Sequence, residues 1–256
     1  MPRQARKKSG TGIYHAMFRG INGQKIFHAN EDFKRMIETL GRYKEICNYE
    51  LYAYCLMSNH VHILIKEGIE GLGRTFRRIG ASYVYWYNNK YDRTGHLFQD
   101  RYKSEPVEDT GYFLTVLRYI HQNPLKAGIV RNINDYPWSS FKEYTGSRGI
   151  CDTEFVLSQF SEDVSERIKI FREFNMQGND DKCLEYERQE RISDRVAARI
   201  IREMAGIDDP GKITAYARNE RDEIIGKLRE RGLSIRQIER LTGVSFAVIR
   251  RCKAHL

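Results

Sequence analysis

The sequence predicts an α+β fold: an antiparallel sheet carrying helices in a ferredoxin-like arrangement, followed by an all-α C-terminal region. Three observations predict it. Up to about residue 107 the segments run strand, helix, strand, strand, helix, strand, which is the split βαβ pattern. Apolar residues recur at period two in the strand-like segments and at helical spacing in the others. From about residue 150 aromatics thin out, charge density rises, and the segments become almost entirely helix-like.

Residues 1–12 hold Arg3, Arg6, Lys7 and Lys8 with glycines at 10 and 12 and read as a mobile basic arm. Ile13 to Arg19 has strand character, and Asn30 then precedes an amphipathic helix with Phe33, Ile37, Leu40 and Tyr43 on its apolar face. Leu51 to Leu56 is a second strand, Met57-Ser58-Asn59 is turn-like, and His60 to Ile65 alternates cleanly as a third, so the two strands make a hairpin. Leu72 to Lys90 carries the helical stripe Leu72, Phe76, Ile79, Tyr83 and Trp86, and His96 to Val107 supplies the fourth strand. A further helix from Asp109 to Gln122 is expected to end near Asn123, because Pro124 disfavours helical conformation in the residue before it, which puts Tyr119 in the last turn.

Cys151 to Tyr186 contains no turn-rich linker or repeat and reads as a helical spacer. Glu220 to Arg231 is helix-like and Gly232 stops it. Ser234 caps Ile235 to Thr242 with the Ser234/Gln237 spacing of a capping box, Gly243 fits a tight turn, and Ser245 caps a last helix. This is a helix-turn-helix pattern. The expected organisation is an arm over 1–12, a sheet domain over 13–148, a spacer over 149–215 and a helix-turn-helix region over 216–256.

The 256 residues carry a net charge of +9 and a pI near 9.3, which favours acidic partners such as nucleic acid or an anionic membrane surface. With 41% hydrophobic and 12% aromatic residues, the composition excludes a disordered chain. No apolar run is long enough to span a bilayer, and the basic N-terminus is not followed by an apolar stretch, so a soluble, cytoplasmic protein is expected. Five cysteines, odd in number and without CxxC spacing, indicate reduced thiols and not a zinc site, with Cys47 and Cys55 in buried apolar segments.

Alternation along the third strand sends Val61, Ile63 and Ile65 to one face and His60, His62 and Leu64 to the other. The two imidazoles then point together beside the hairpin turn, a metal half-site. Tyr119 and Asn123, at i and i+4, share one helix face and are the best candidates to complete it. An amide carbonyl there would give a three-ligand cation site with positions open to phosphate oxygens and water. A tyrosine beside such a cation can attack phosphorus and store the bond energy in a covalent phosphotyrosine. Taken alone, HxH also occurs in strands that need no metal, and Tyr119 is one of 16 tyrosines that can simply pack a helix onto a sheet.

The segments Tyr14-His15-Ala16-Met17-Phe18-Arg19-Gly20, Ala53-Tyr54-Cys55-Leu56-Met57-Ser58-Asn59-His60-Val61-His62, Gly95-His96-Leu97-Phe98-Gln99, Tyr119-Ile120-His121-Gln122-Asn123-Pro124 and Trp138-Ser139-Ser140 together resemble IS200-like tyrosine transposases, especially the REP-associated branch. The resemblance spans Ile13 to Tyr144. It implies a ferredoxin-like HUH sandwich, with Val61 as the bulky apolar residue between the histidines. It also implies one Mg²⁺ or Mn²⁺ ion on His60 and His62, with Asn123 as third ligand, and single-stranded DNA cleavage by Tyr119. Ligand softness alone would suit a histidine pair to zinc, iron or copper, so the hard-ion choice comes from the resemblance. Ser58 stands where a proline is expected before the Asn-His pair, and some relatives have Gln at the Asn123 position.

Arg74, Arg77, Arg78, Lys90, Arg93, Arg101 and Lys103, interleaved with Tyr85, Tyr87 and Tyr91, form the expected surface for single-stranded or hairpin DNA, or alternatively a solvated helix face with its tyrosines in the core. Arg250, Arg251 and Lys253 on the last helix, assisted by Arg236 and Arg240, suit the major groove of duplex DNA, the alternative being a packing or dimerisation unit. His15, His96 and His121 are read as structural. The leading function is a metal-dependent single-strand DNA endonuclease and strand transferase acting at hairpin-bearing ends. A non-catalytic or domesticated DNA-binding regulator is the alternative, and a metal phosphoesterase that leaves Tyr119 idle is a third. Both monomer and homodimer are compatible with the resemblance.

Overall fold

The computed structural model describes residues 6–185 and 192–252, and the chain divides into two compact units, Met1–Glu185 and Tyr186–Leu256. In the first, β1 (Ile13–Arg19), α1 (Asn30–Cys47), β2 (Glu50–Met57), β3 (His60–Lys66), α2 (Gly71–Lys90) and β4 (Lys103–Pro106) follow in the expected order, and α3 (Thr110–Lys126), α4 (Thr153–Ser158) and α5 (Val164–Met176) come after them. The four strands form one sheet in the order β2-β3-β1-β4, and every neighbouring pair is antiparallel. This is the ferredoxin-like order, produced by two strand-helix-strand crossovers.

Strand alternation divides the buried residues into two cores. Tyr14, Ala16 and Phe18 of β1 and Val61, Ile63 and Ile65 of β3 share one core with α1 and α2. Leu64 of β3 and Tyr52, Cys55 and Met57 of β2 pack on the other side with α3 and with Val156 and Phe171 of α4 and α5. The expected limit of the sheet domain at residue 148 is therefore too short: the compact unit reaches Glu185 because α4 and α5 bury apolar residues under α3. The segment behind Trp138 also shields the β2 edge, with Leu56 N donating to Trp138 O (2.9 Å) and Asp152 N to Leu51 O (2.7 Å).

Several local expectations need correction. The fourth strand is reduced to Lys103–Pro106, because Leu97 and Phe98 both turn toward the same core and so break period-two alternation. Residues 96–102 form an irregular wall tied to β1 by Ile21 N to Leu97 O (3.0 Å) and Gln99 N to Arg19 O (2.8 Å). Helix α3 continues through Pro124 to Lys126, so Tyr119 and Asn123 lie inside the helix and not at its end. Pro124 has no N–H to donate to Ile120 O, yet the chain continues one more turn and closes on Ala127 N to Asn123 O (3.0 Å) and Ile129 N to Pro124 O (3.0 Å). Residues 6–12 of the expected mobile arm are held in place: Arg6 Nη2 donates to Tyr102 O (2.7 Å) and Gly10 N to Glu108 Oε2 (2.9 Å).

The second unit contains α6 (Asp194–Ala205), α7 (Arg218–Glu230), α8 (Ile235–Thr242) and α9 (Phe246–Arg251), packed on Ile201, Ile225, Leu228, Ile238 and Ile249. Gly243 adopts φ 74°, the left-handed turn between α8 and α9. The capping box is only half formed: Ser234 Oγ accepts from Gln237 N (3.2 Å), while Gln237 Nε2 donates to Ile192 O (2.7 Å) and Asp194 Oδ1 (3.0 Å). Nor does Ser245 cap α9 with its side chain, since Glu239 Oε1 accepts from Phe246 N instead (2.9 Å). Among the described residues, no helix is long and apolar enough to cross a membrane.

Candidate active site

Because β1, β3 and α3 meet on the second face of the sheet, their polar side chains converge beside the β2-β3 turn. The His60 and His62 rings stand 4.9 Å apart, centroid to centroid, at 88°, and the Tyr119 ring is 5.5 Å from His62. Asn123 lies close enough to His60 and Tyr119 to act on both, favouring the charged form of the imidazole and of the phenol. The four residues expected to share a site therefore do so.

Both imidazoles use Nδ1 on protein partners. Asn59 Nδ2 donates to Gly23 O (3.2 Å), which fixes the amide so that its Oδ1 accepts from His60 Nδ1 (2.6 Å). His62 Nδ1 meets His15 Nε2 at 3.0 Å. The turn carrying Asn59 is itself clamped, as Gly20 N donates to Asn59 O (2.9 Å) and Ile26 N to Ser58 O (2.8 Å). A side chain at position 20 would collide with Gln24 O at 2.2 Å, so only glycine allows this approach. Ser58 thus keeps the turn through its backbone despite lacking the proline ring.

Burial pushes the His60 imidazole down to about 4, with neighbouring Asn123 acting in the opposite sense. Burial also holds His62 well below the usual range, reinforced by His60 and His15. Neutral imidazoles with Nδ1 engaged and Nε2 as the remaining nitrogen fit a cation. Among the described residues no three His, Cys, Asp or Glu side chains are grouped to hold a metal ion, and the amide beside His60 and Tyr119 is Asn123.

Three groups around this constellation were not legible as functional in the sequence. Tyr119, 3% exposed, donates its hydroxyl to Glu185 Oε1 (2.7 Å). Burial raises the phenol above its ordinary range and the Glu185 carboxylate raises it further. Glu185 arrives on a strap from the end of α5, fastened along α3 by Gln122 Nε2 to Gln177 O (2.8 Å), Asn179 Nδ2 to Gln122 Oε1 (2.8 Å) and a two-pronged Arg118–Asp181 pair (2.8 and 3.0 Å). Glu185 lies 66 residues from Tyr119 in sequence, and no pattern announces it. His15 and Glu105 complete the group: His15 Nδ1 meets Glu105 Oε1 at 3.1 Å. In the sequence His15 stood out only as one of three motif histidines read as structural.

The basic surface divides into used and available groups. Arg74, Arg77 and Arg101 line an open groove of about 770 Å³ between α2 and the 96–102 wall, joined there by Arg6. Arg78 is not part of it, because Nε and Nη2 grip Glu70 at 2.7 and 2.8 Å. Lys90 and Tyr91 bond the buried Asp32 carboxylate (2.7 and 2.8 Å), which also accepts from His28 N and Ala29 N at the start of α1. Tyr87 is buried against His28 (2.8 Å), whereas Tyr85 stays 73% exposed. Lys103 sits on β4 opposite Met17. In the second unit Arg250 and Arg251 are exposed on α9, Arg240 pairs with Asp194 (2.6 Å), and Lys253 lies outside the described residues.

Comparison with known proteins bears on the first unit. Residues 9–123 match the family model described as "Transposase IS200 like". A Haemophilus influenzae protein carrying the REP-associated tyrosine transposase name is 29% identical over 119 residues, which is 41% of this chain and 67% of the relative. The Escherichia coli REP-associated tyrosine transposase is 21% identical over 136 residues, 52% of this chain and 78% of the relative. A solved REP-associated tyrosine transposase bound to a REP hairpin aligns with TM-score 0.49 and 17% identity, covering 59% of this chain and 94% of that one. Over residues 9–123 the chain is thus similar to the IS200-like transposase family.

Proposed function

We propose that the protein is a metal-dependent single-stranded DNA endonuclease and strand transferase acting at hairpin-bearing ends through a covalent phosphotyrosine on Tyr119. The observation that carries this reading is the convergence of the Tyr119 hydroxyl with Asn123, His60 and His62. His60, His62 and Asn123 would hold one Mg²⁺ or Mn²⁺. That ion, when bound, polarises a phosphodiester as a Lewis acid.

Tyr119 Oη attacks phosphorus, the Oη–P bond forms as the P–O bond to the leaving sugar breaks, and the leaving oxygen ends protonated. Attack by that hydroxyl in the reverse sense rejoins the strand. The groove of Arg6, Arg74, Arg77 and Arg101 suits the phosphates of a single strand or hairpin. The exposed Arg250 and Arg251 on α9 add a duplex-binding element if α8 and α9 act as a helix-turn-helix.

Incubation of the full chain with labelled hairpin single strands and Mn²⁺ tests the reading. A denaturation-resistant protein–DNA band is expected, absent in Tyr119→Phe. Cleavage that survives in Tyr119→Phe would make the protein a phosphoesterase using water, and binding without cleavage would make it a regulator.

A further inference from the structure

We propose that His15 and Glu105 are positioning residues that fix His62 in its Nδ1–H form and so present its Nε2 lone pair at the candidate site. The functional weight of this inference rests on the metal reading above; the assignment itself rests on the hydrogen-bond chain, with His15 taken as a neutral imidazole.

Glu105 Oε1 is surrounded by donors. It accepts from Tyr112 Oη (2.5 Å) and from Leu184 N (2.9 Å), and it faces His15 Nδ1 at 3.1 Å. A backbone N–H can only donate. Burial alone would raise the Glu105 carboxyl, and these bonds, His15 first among them, hold it below its usual range. An ionised carboxylate has no proton to give, so His15 Nδ1 is the donor.

His15 is fully buried, at 0% exposure, and a neutral imidazole has one N–H and one lone pair. With Nδ1 donating, the Nε2 of such a neutral ring accepts. Among the described residues, the group at that nitrogen is His62 Nδ1, 3.0 Å away, which therefore carries the proton. The proton on His62 Nδ1 leaves Nε2 as the lone pair, on a ring that is itself 1% exposed.

The register explains why these side chains meet. On β1, His15 is two residues before Met17, whose Cα partner is His62, so His15 reaches its target diagonally across the β1-β3 ladder. Glu105 stands directly opposite His15 on β4. Three adjacent strands thus contribute one residue each to a chain running from a partly exposed carboxylate to the site. His60 receives the equivalent instruction from Asn59. Outer partners of this kind orient metal-ligating histidines, and their loss ordinarily weakens metal binding by about 10–100-fold.

Two readouts on the full chain test the inference. In ¹⁵N-histidine-labelled wild type without metal, His62 is expected to show a pyrrole-type Nδ1 and a pyridine-type Nε2. Mn²⁺ titration followed by electron paramagnetic resonance is expected to show about 10–100-fold weaker binding in His15→Leu. His15→Gln, whose amide oxygen can accept from His62 Nδ1, should recover most of the affinity, which a purely space-filling role would not require.

A His62 spectrum with the proton on Nε2, or a folded His15→Leu that binds Mn²⁺ like wild type, would overturn the proposal. If His15→Leu does not fold, the wild-type spectrum and the Gln variant still decide. The expected spectrum combined with no Mn²⁺ binding by wild type would instead remove the metal reading and leave the tautomer assignment standing.

Discussion

Tyr119 is covered by the one group least compatible with an incoming phosphodiester, a carboxylate. Glu185 Oε1 accepts a hydrogen bond from the Tyr119 hydroxyl at 2.7 Å, which favours the neutral phenol and puts negative charge where the proposed reaction brings a phosphate. Replacing Glu185 with Ala removes both effects, and we expect faster adduct formation at equal DNA concentration in a single-turnover assay. A slower rate would instead identify Glu185 as the proton acceptor. Asn123 is tested separately by Mn²⁺ affinity: Asn123→Ala is expected to weaken binding about tenfold, in the range of other lost ligand-shell contacts, and Asn123→Asp to retain it. At this scale the sequence was half legible. Period-two alternation alone predicts that His60 and His62 converge, and i, i+4 spacing predicts that Asn123 accompanies Tyr119. Glu185, far along the chain, follows no local periodicity, and His15 needed the β1-β3 register before its direction acquired meaning.

Among elements, α2 shows why a count of basic residues is a poor guide to a binding surface. Arg74, Arg77 and Arg78 look equivalent on the helix, yet Arg78 is spent on Glu70 through two short bonds while the other two line the groove with Arg101. Charge partners across a turn cannot be read from spacing along one helix. The expected outcome for Arg74→Ala, Arg77→Ala and Arg101→Ala is weaker hairpin binding with a shallower dependence on salt, each lost phosphate contact reducing the log–log slope by about 0.7 for a single strand. Arg78→Ala should leave the slope unchanged. Fluorescence anisotropy across a salt series checks both. Helix α3 gives a different lesson: Pro124 was a sound stop signal by propensity, but tertiary packing of the buried proline carries the helix to Lys126.

For the whole molecule, composition foretold a sheet-bearing unit and a helical one, and missed where they divide. The change of character near residue 150 is real in sequence, but Val156 and Phe171 bury into the first unit's core, so a loss of aromatics does not mark the end of a domain. That core holds His121, which is 0% exposed, bonded to Asn175 Oδ1 (2.9 Å) and Ser140 Oγ (3.0 Å). Burial lowers its pKa from the ordinary 6.5 to about 4, with Asn175 acting in the opposite sense. A depressed histidine binds its proton more readily in the unfolded chain. Its contribution is therefore complete above pH 6.5 and is lost as pH falls toward 4. Between pH 7 and 5 this one group should remove about 2 kcal/mol of stability, because each tenfold difference in proton affinity between the folded and unfolded chain is worth about 1.4 kcal/mol. Partly buried His60 and buried His62 are depressed in the same direction and add to the slope. Both tryptophans, Trp86 and Trp138, belong to the first unit, so their fluorescence during urea unfolding isolates it from the second. Wild type should lose stability from pH 7 to pH 5, and His121→Gln, whatever its stability at pH 7, should lose about 2 kcal/mol less over the same interval. Equal losses in the two proteins would mean that His121 is not held neutral in the core.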